Sequence, residues 1–196
     1  GAVWTLGNLV AVYSDPALYT HVIPNTLIYA AGAVTLGFAT AFVLAWLTER
    51  SDLPLRNTVF ALVLFPLLVP GVVLAIAWIF LLGPNAGWVN MALRAALGTI
   101  REAPINIFSM PGMIVAQGAL LVPFIYLLLT AVFRSRNPAL EEAASMAGAT
   151  PRAVFWRITL PVLRPGILAP LILATLIALE QFEMPLIIGL PARSNV

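Results

Sequence analysis

Cysteine and lysine are both absent from this 196-residue chain, and histidine occurs once, at position 21. Without cysteine there is no disulfide framework, iron–sulfur cluster or thiolate zinc site. Without lysine there is no Walker A lysine, so the chain cannot hold ATP in the ordinary P-loop way. A single histidine and no paired-aspartate motif leave neither a metal site nor a plausible constellation for a membrane-embedded enzyme. Charge is scarce as well. Charged residues make up 9% of the chain, against roughly a quarter in soluble domains. The basic residues are ten scattered arginines and the net charge is +2, which is no footprint for nucleic acid. No basic region precedes the opening Gly1-Ala-Val-Trp4, so no signal peptide is read, and both ends look cut from a longer protein. With no internal repeat or low-complexity linker, residues 1–196 read as one domain.

What is present is apolar. Hydrophobic residues reach 61% and mean hydropathy is +1.00. Backbone groups in lipid must be satisfied internally, so this composition predicts an all-α, polytopic membrane protein. Four spans are expected, at about 25–48, 58–82, 112–133 and 164–189. Ahead of them, Tyr13-Ser-Asp-Pro16 reads as a turn, and Trp4, Tyr13, Tyr19 and His21 suit a membrane interface. Small residues crowd the first span (Ala30, Ala31, Gly32, Ala33, Gly37), which permits close helix packing. The second carries Pro66 and Pro70, which remove backbone donors and predict a kink, serving either packing or a transport pathway. Gly83–Gly87 predicts a turn and Trp88–Leu97 a short interfacial helix. Gln117 and Pro123 interrupt the third span.

The fourth span contains Glu180 and Glu183, predicted to lie one helical turn apart on one face. Measured from Pro165, Glu180 is roughly 22 Å along the helix, towards the outer leaflet. Carboxylates there are costly and tend to face cavities or partners. A cavity mouth that attracts cations is one reading; hydrogen bonding between helices or snorkelling to the interface is the other. Arginines set the orientation. Arg50, Arg56, Arg134, Arg136, Arg152, Arg157 and Arg164 flank the loops 49–57 and 134–164, whereas Arg94, Arg101 and Arg193 lie on the opposite side. By the positive-inside rule those two loops are cytoplasmic and the termini face outward.

Between the third and fourth spans lies a polar island, Asn137 to Pro161. It reads as two short helices, started by Asn137-Pro138 and Thr150-Pro151. Gly148 offers a sharp turn between them. Leu140, Ala143, Ala144 and Ala147 make a shallow, alanine-rich face. The island could be an amphipathic connector or one half of an interface with a soluble partner.

These residues carry a resemblance. Glu142-Ala143-Ala144, three residues, Gly148, nine residues, then Ile158, one residue (Thr159) and Leu160-Pro161 resembles the EAA loop of binding-protein-dependent ABC importer permeases: seven fixed positions over twenty residues. The resemblance implies a partial type I permease core whose loop is a coupling helix docking on an ATP-hydrolysing subunit. Glu142, Ala143, Ala144, Ala147, Gly148, Ile158, Leu160 and Pro161 would form that contact. It also implies two ATPase copies, an external substrate-binding protein, a second permease half or copy and surrounding lipid as partners, with no cofactor and no catalysis on this chain. Residues Leu179 to Pro191, Asn25-Thr26-Leu27, and Pro66 to Pro70 resemble ferric-iron permeases in particular, first half, while polyamine, thiamine and sulfate permeases share much of the same pattern. Glu180, Glu183, Gln117, Pro66 and Pro70 are the candidate pathway residues. An ATP-independent ion carrier or channel using Glu180 and Glu183 is the rival reading, although such a protein needs no EAA-like loop.

Overall fold

The computed structural model of the chain describes residues 6–98, 105–135 and 139–190. Among them are α1 (Gly7–Tyr13), α2 (Ile23–Arg50), α3 (Arg56–Leu64), α4 (Gly71–Leu82), α5 (Trp88–Leu97), α6 (Met110–Arg134), α7 (Ala139–Met146), α8 (Pro151–Val154) and α9 (Leu160–Glu180), and no strand. Asn137 and Pro138, the predicted cap of the first island helix, lie outside the described residues, as do Trp4, Arg101, Arg136, Arg193 and Pro191.

α2 and α6 form the centre of the bundle. They run parallel: Tyr29 meets Gln117, Gly37 meets Gly118, Thr48 meets Tyr126 and Arg50 meets Phe133. The small residues of α2 are what let the two backbones close. A Cβ placed on Gly37 would lie 2.7 Å from the Gly118 carbonyl oxygen, so the contact requires glycine. Around it, Ala33, Ala41, Ala45, Leu121, Ile125 and Leu129 are buried. α9 packs antiparallel to this pair, with Gly166 against Val132 near one end and Ile177 beside Leu121 nearer the other.

Two parallel spans require an odd number of crossings between them, so the segment from α3 to α4 crosses once. It does so bent. Arg56–Leu68 and Gly71–Leu82 meet at 107°, where the sequence predicted a kink. Val69 is extended (φ −104°, ψ 128°) because the residue before a proline is pushed out of the helical region, and Pro70 then opens a new helix. Three helices are long and apolar enough to span a membrane, and a fourth if the bent pair counts as one. That agrees with the predicted four.

Two other boundaries differ from expectation. The second island helix is not separate: Pro151 to Glu180 is one continuous 30-residue run, joined by a π-turn at Phe155–Thr159. The extra residue in that turn lies just ahead of Pro161, whose ring would otherwise crowd the Arg157 carbonyl. At its far end the last span stops early, at Glu180, with Gln181 extended (ψ 114°). Pro185 has no N–H for the Gln181 carbonyl and would clash with it, so the helix breaks there and resumes at Glu183.

The turn at Gly83–Gly87 and the helix Trp88–Leu97 form as predicted. Asn90, fully buried, fastens this connector: its Nδ2 donates to the carbonyls of Leu82, Gly83 and Ile105, and its Oδ1 accepts from the Ile105 N–H at 3.0 Å. Arg94 adds bonds to the Pro84 and Asn85 carbonyls.

Candidate functional site

The island between α6 and α9 is built around one glycine. Gly148 has φ +86°. Its N–H bonds the Ser145 carbonyl at 3.0 Å and the Ala149 N–H bonds the Ala144 carbonyl at 3.0 Å, the paired bonds of a Schellman helix end. No atom lies within 4 Å of where a Cβ would stand, so the requirement is conformational, not steric. The chain then restarts as expected: the Thr150 hydroxyl accepts from the Ala153 N–H at 3.3 Å and Pro151 comes next.

α7 presents an open face. Leu140 is 61% and Met146 91% exposed, Ala143 and Ala147 are exposed, and Ala144 is half-buried. Glu142 is also exposed. Its neighbour Glu141 is the tether, with Arg50 Nε 3.6 Å from its carboxylate. Arg50 also donates to the Phe133 carbonyl at 3.1 Å and lies 5.8 Å from that ring's centre. Beside it, Arg134 makes two parallel bonds to Glu49, at 3.0 and 2.9 Å, and covers the Phe60 ring. The ends of α2, α3 and α6 and the start of α7 are thus tied into one charged rim. Residues 49–57, 134–135 and 139–150 share one side of the molecule. Ile158, Leu160 and Pro161 lie beyond the Gly148 turn, outside α7 itself. Ile158 is in the π-turn and the other two open α9, next to buried Thr159, so they set how the span leaves the island.

The bend in the second span makes the other site. A cavity of about 320 Å³ opens there, walled by Pro66, Gly71, Gln117, Ile177, Gln181 and Glu183. Pro70 caps α4 at its edge. Gln117 is fully buried. Its Oε1 accepts from the Tyr29 hydroxyl at 3.2 Å, while its Nε2 has no hydrogen-bond partner. Glu183 is half-buried and accepts from Gln181 Nε2 at 3.2 Å. Its carboxylate lies over Gly71 so closely that any Cβ there would collide with it. Among the described residues, Glu183 is the only charged one lining this cavity. Glu180 and Glu183 do not share a helix face, because the helix breaks between them. Both instead line an adjoining cleft of about 200 Å³, with Glu180 exposed. The structure therefore gathers Pro66, Gln117 and Glu183, and leaves Glu180 at the mouth.

Sequence reasoning missed the tether and the clamp. Arg50 and Glu141 are far apart in sequence, and a charge at a span end reads as an orientation signal only. Asn90 is one polar residue in a predicted interfacial helix, with nothing local to mark it as a clamp. Gln181 is missed too, although its place between the two glutamates is a signal that could have found it.

Residues 33–193 match the family model described as "Binding-protein-dependent transport system inner membrane component". The chain belongs to that family. It is 30% identical over 157 residues to the sulfate transport system permease protein CysW of Synechocystis sp., covering 80% of this chain and 54% of that protein. It is 31% identical over 175 residues to the molybdenum transport system permease protein ModB of Mycobacterium tuberculosis, covering 88% of this chain and 62% of that one. The inner membrane component described here thus spans somewhat over half the length of these relatives. Its fold is shared with a bacterial ABC transporter that imports the acidic polysaccharide alginate, with a TM-score of 0.77 at 24% identity over 95% of this chain and 66% of that chain. The EAA-like pattern from Glu142 to Pro161 falls wholly within the matched region.

Proposed function

We propose that this chain is a membrane-spanning permease part of an ATP-driven importer, and that α7 with the Gly148 turn is its contact with an ATP-hydrolysing subunit. The observation that carries the reading is the exposed α7 face, held to the bundle at one end by Arg50–Glu141 and turned at the other by Gly148. A segment fixed at both ends to different spans moves those spans when it is pushed, and a loose connector does not. In this reading the coupling side is cytoplasmic, in line with the arginine distribution. An external binding protein delivers cargo to the opposite side, and two ATPase copies and a second permease half or copy complete the assembly. Gly148→Trp in the assembled transporter should abolish uptake while leaving basal ATP hydrolysis measurable. Unimpaired uptake would overturn the role of the turn.

For the cargo we infer a cation, with ferric iron the first to test. Glu183 in the cavity and Glu180 at its mouth give this route negative charge, and no described residue lining either carries positive charge. Among the described residues no group of three or more acidic, histidine or cysteine side chains gathers as a metal site, so the route fits passage better than storage. An oxyanion is the second reading, favoured by the sulfate and molybdenum relatives. Uptake by the complete transporter of labelled ferric iron, against labelled sulfate and molybdate, separates the two. Glu180→Gln with Glu183→Gln should slow cation uptake and leave or raise that of an oxyanion.

A further inference from the structure

A groove of about 410 Å³ runs along the outside of the bundle on the coupling-turn side, between the last turns of α2 and the start of the fourth span. Phe42, Val43 and Trp46 of α2 and Arg152, Phe155 and Trp156 of the following segment line it, and the two sets meet at its floor. The aromatic rings are locked edge to face: Phe42 on Phe155 at 6.3 Å, Trp46 on Phe155 at 6.0 Å, and Phe155 on Trp156 at 5.3 Å. It is therefore a preformed slot and not a gap that closes on itself. Its polarity is graded. Arg152 is the only charged residue lining it among the described residues, is exposed, and sits at the rim where the span begins. Trp156 is four residues deeper, and Trp46 is four residues inside the charged end at Arg50, about 6 Å along the helix. A cation at the rim above an aromatic slot in the hydrocarbon matches a molecule with an anionic head and an apolar chain. An extended peptide would need backbone partners that this lining does not supply.

We propose that this groove binds one anionic phospholipid of the coupling-side leaflet, with its phosphate on Arg152 and an acyl chain lying along the aromatic floor where Phe42 and Trp46 meet Phe155, flanked by Val43 and Trp156. The segment carrying Arg152 comes directly after the Gly148 turn, so a bound lipid braces the segment through which α7 acts on the last span. Basic pockets between spans select anionic headgroups by charge, whereas the slot below is indifferent to headgroup.

The test is native mass spectrometry of the complete transporter from nanodiscs of phosphatidylcholine with phosphatidylglycerol, with a photo-reactive residue at Val43 as a second readout. Arg152→Gln should lower retention of phosphatidylglycerol relative to phosphatidylcholine about fivefold, the factor expected for one basic residue at an anionic surface. Arg152→Lys should preserve most of the preference. Trp156→Ala should weaken retention of both lipids alike. The Val43 probe should cross-link to lipid. An unchanged lipid ratio in Arg152→Gln, or a Val43 probe that cross-links to protein, would overturn the proposal; the latter would make the groove a contact with another segment or subunit.

Discussion

At the scale of single residues, three positions bear out of proportion to their size. Gly148 holds a left-handed backbone that costs an L-residue about 1–2 kcal/mol. With free space around it, Gly148→Ala should weaken coupling through backbone strain alone, and a graded series of Ala, Val and Trp measured as uptake per ATP hydrolysed should fall in that order. Arg50 and Arg134 form a natural contrast. The Arg134 side chain is 61% exposed although its partner Glu49 is only 15% exposed, so Arg134→Ala should cost on the order of 1 kcal/mol, less at high salt. Arg50 is 11% exposed and serves Phe133 and Glu141 together. Arg50→Ala should lower both melting temperature and coupling more than Arg134→Ala; equal effects would deny the tether its role. Asn90 satisfies both groups of Ile105 and two carbonyls at the end of α4. Asn90→Leu should destabilise the purified protein by at least about 2 kcal/mol, since several buried backbone groups lose partners at once. Gly148 was legible in the sequence because only a short list of residues adopts positive φ. Arg50–Glu141 was not, because a charge pair between residues so distant along the chain leaves no local pattern.

At the scale of elements, the spans were legible from apolar length, and their ends where a cap or turn marked them: Thr150-Pro151, Gly83–Gly87 and Trp88–Leu97 all stand as expected. Prolines were harder. Pro66 and Pro70 produced a 107° break instead of a kink, while Pro165 and Pro170 sit inside α9. The difference lies in the neighbours of each proline. Val69 before Pro70 is driven extended, and Gly71 after it accepts the close approach of Glu183. Pro161, by contrast, is absorbed by a π-turn. Gly37 tests the packing of the central pair: Gly37→Leu should separate α2 from α6 and lower the melting temperature by several degrees. Gly71→Ala should displace Glu183 and change uptake with little loss of fold, because the strain falls on a side chain and not on backbone.

At the scale of the whole molecule, the parallel course of α2 and α6 makes the broken span a true crossing, and puts the Arg50 rim and the Asn90 clamp at opposite ends. Composition alone made the chain a membrane protein, and the EAA-like pattern placed it in its family before any coordinates. The cavity was not legible as a place. It needs the bend at Pro70 and the break at Gln181 to meet beside α6, and each break depends on neighbours that sequence spacing does not report. The central claim, that α7 is the docking element for an ATPase, can be tested by cysteine placement because these 196 residues contain no cysteine of their own. Ala143→Cys on α7 and Met91→Cys on α5 are introduced singly into the complete transporter and treated with a short thiol-to-amine cross-linker in inside-out vesicles. A cross-link to the ATPase subunit is expected from Ala143→Cys and none from Met91→Cys; no cross-link at Ala143, or one at Met91, would contradict it.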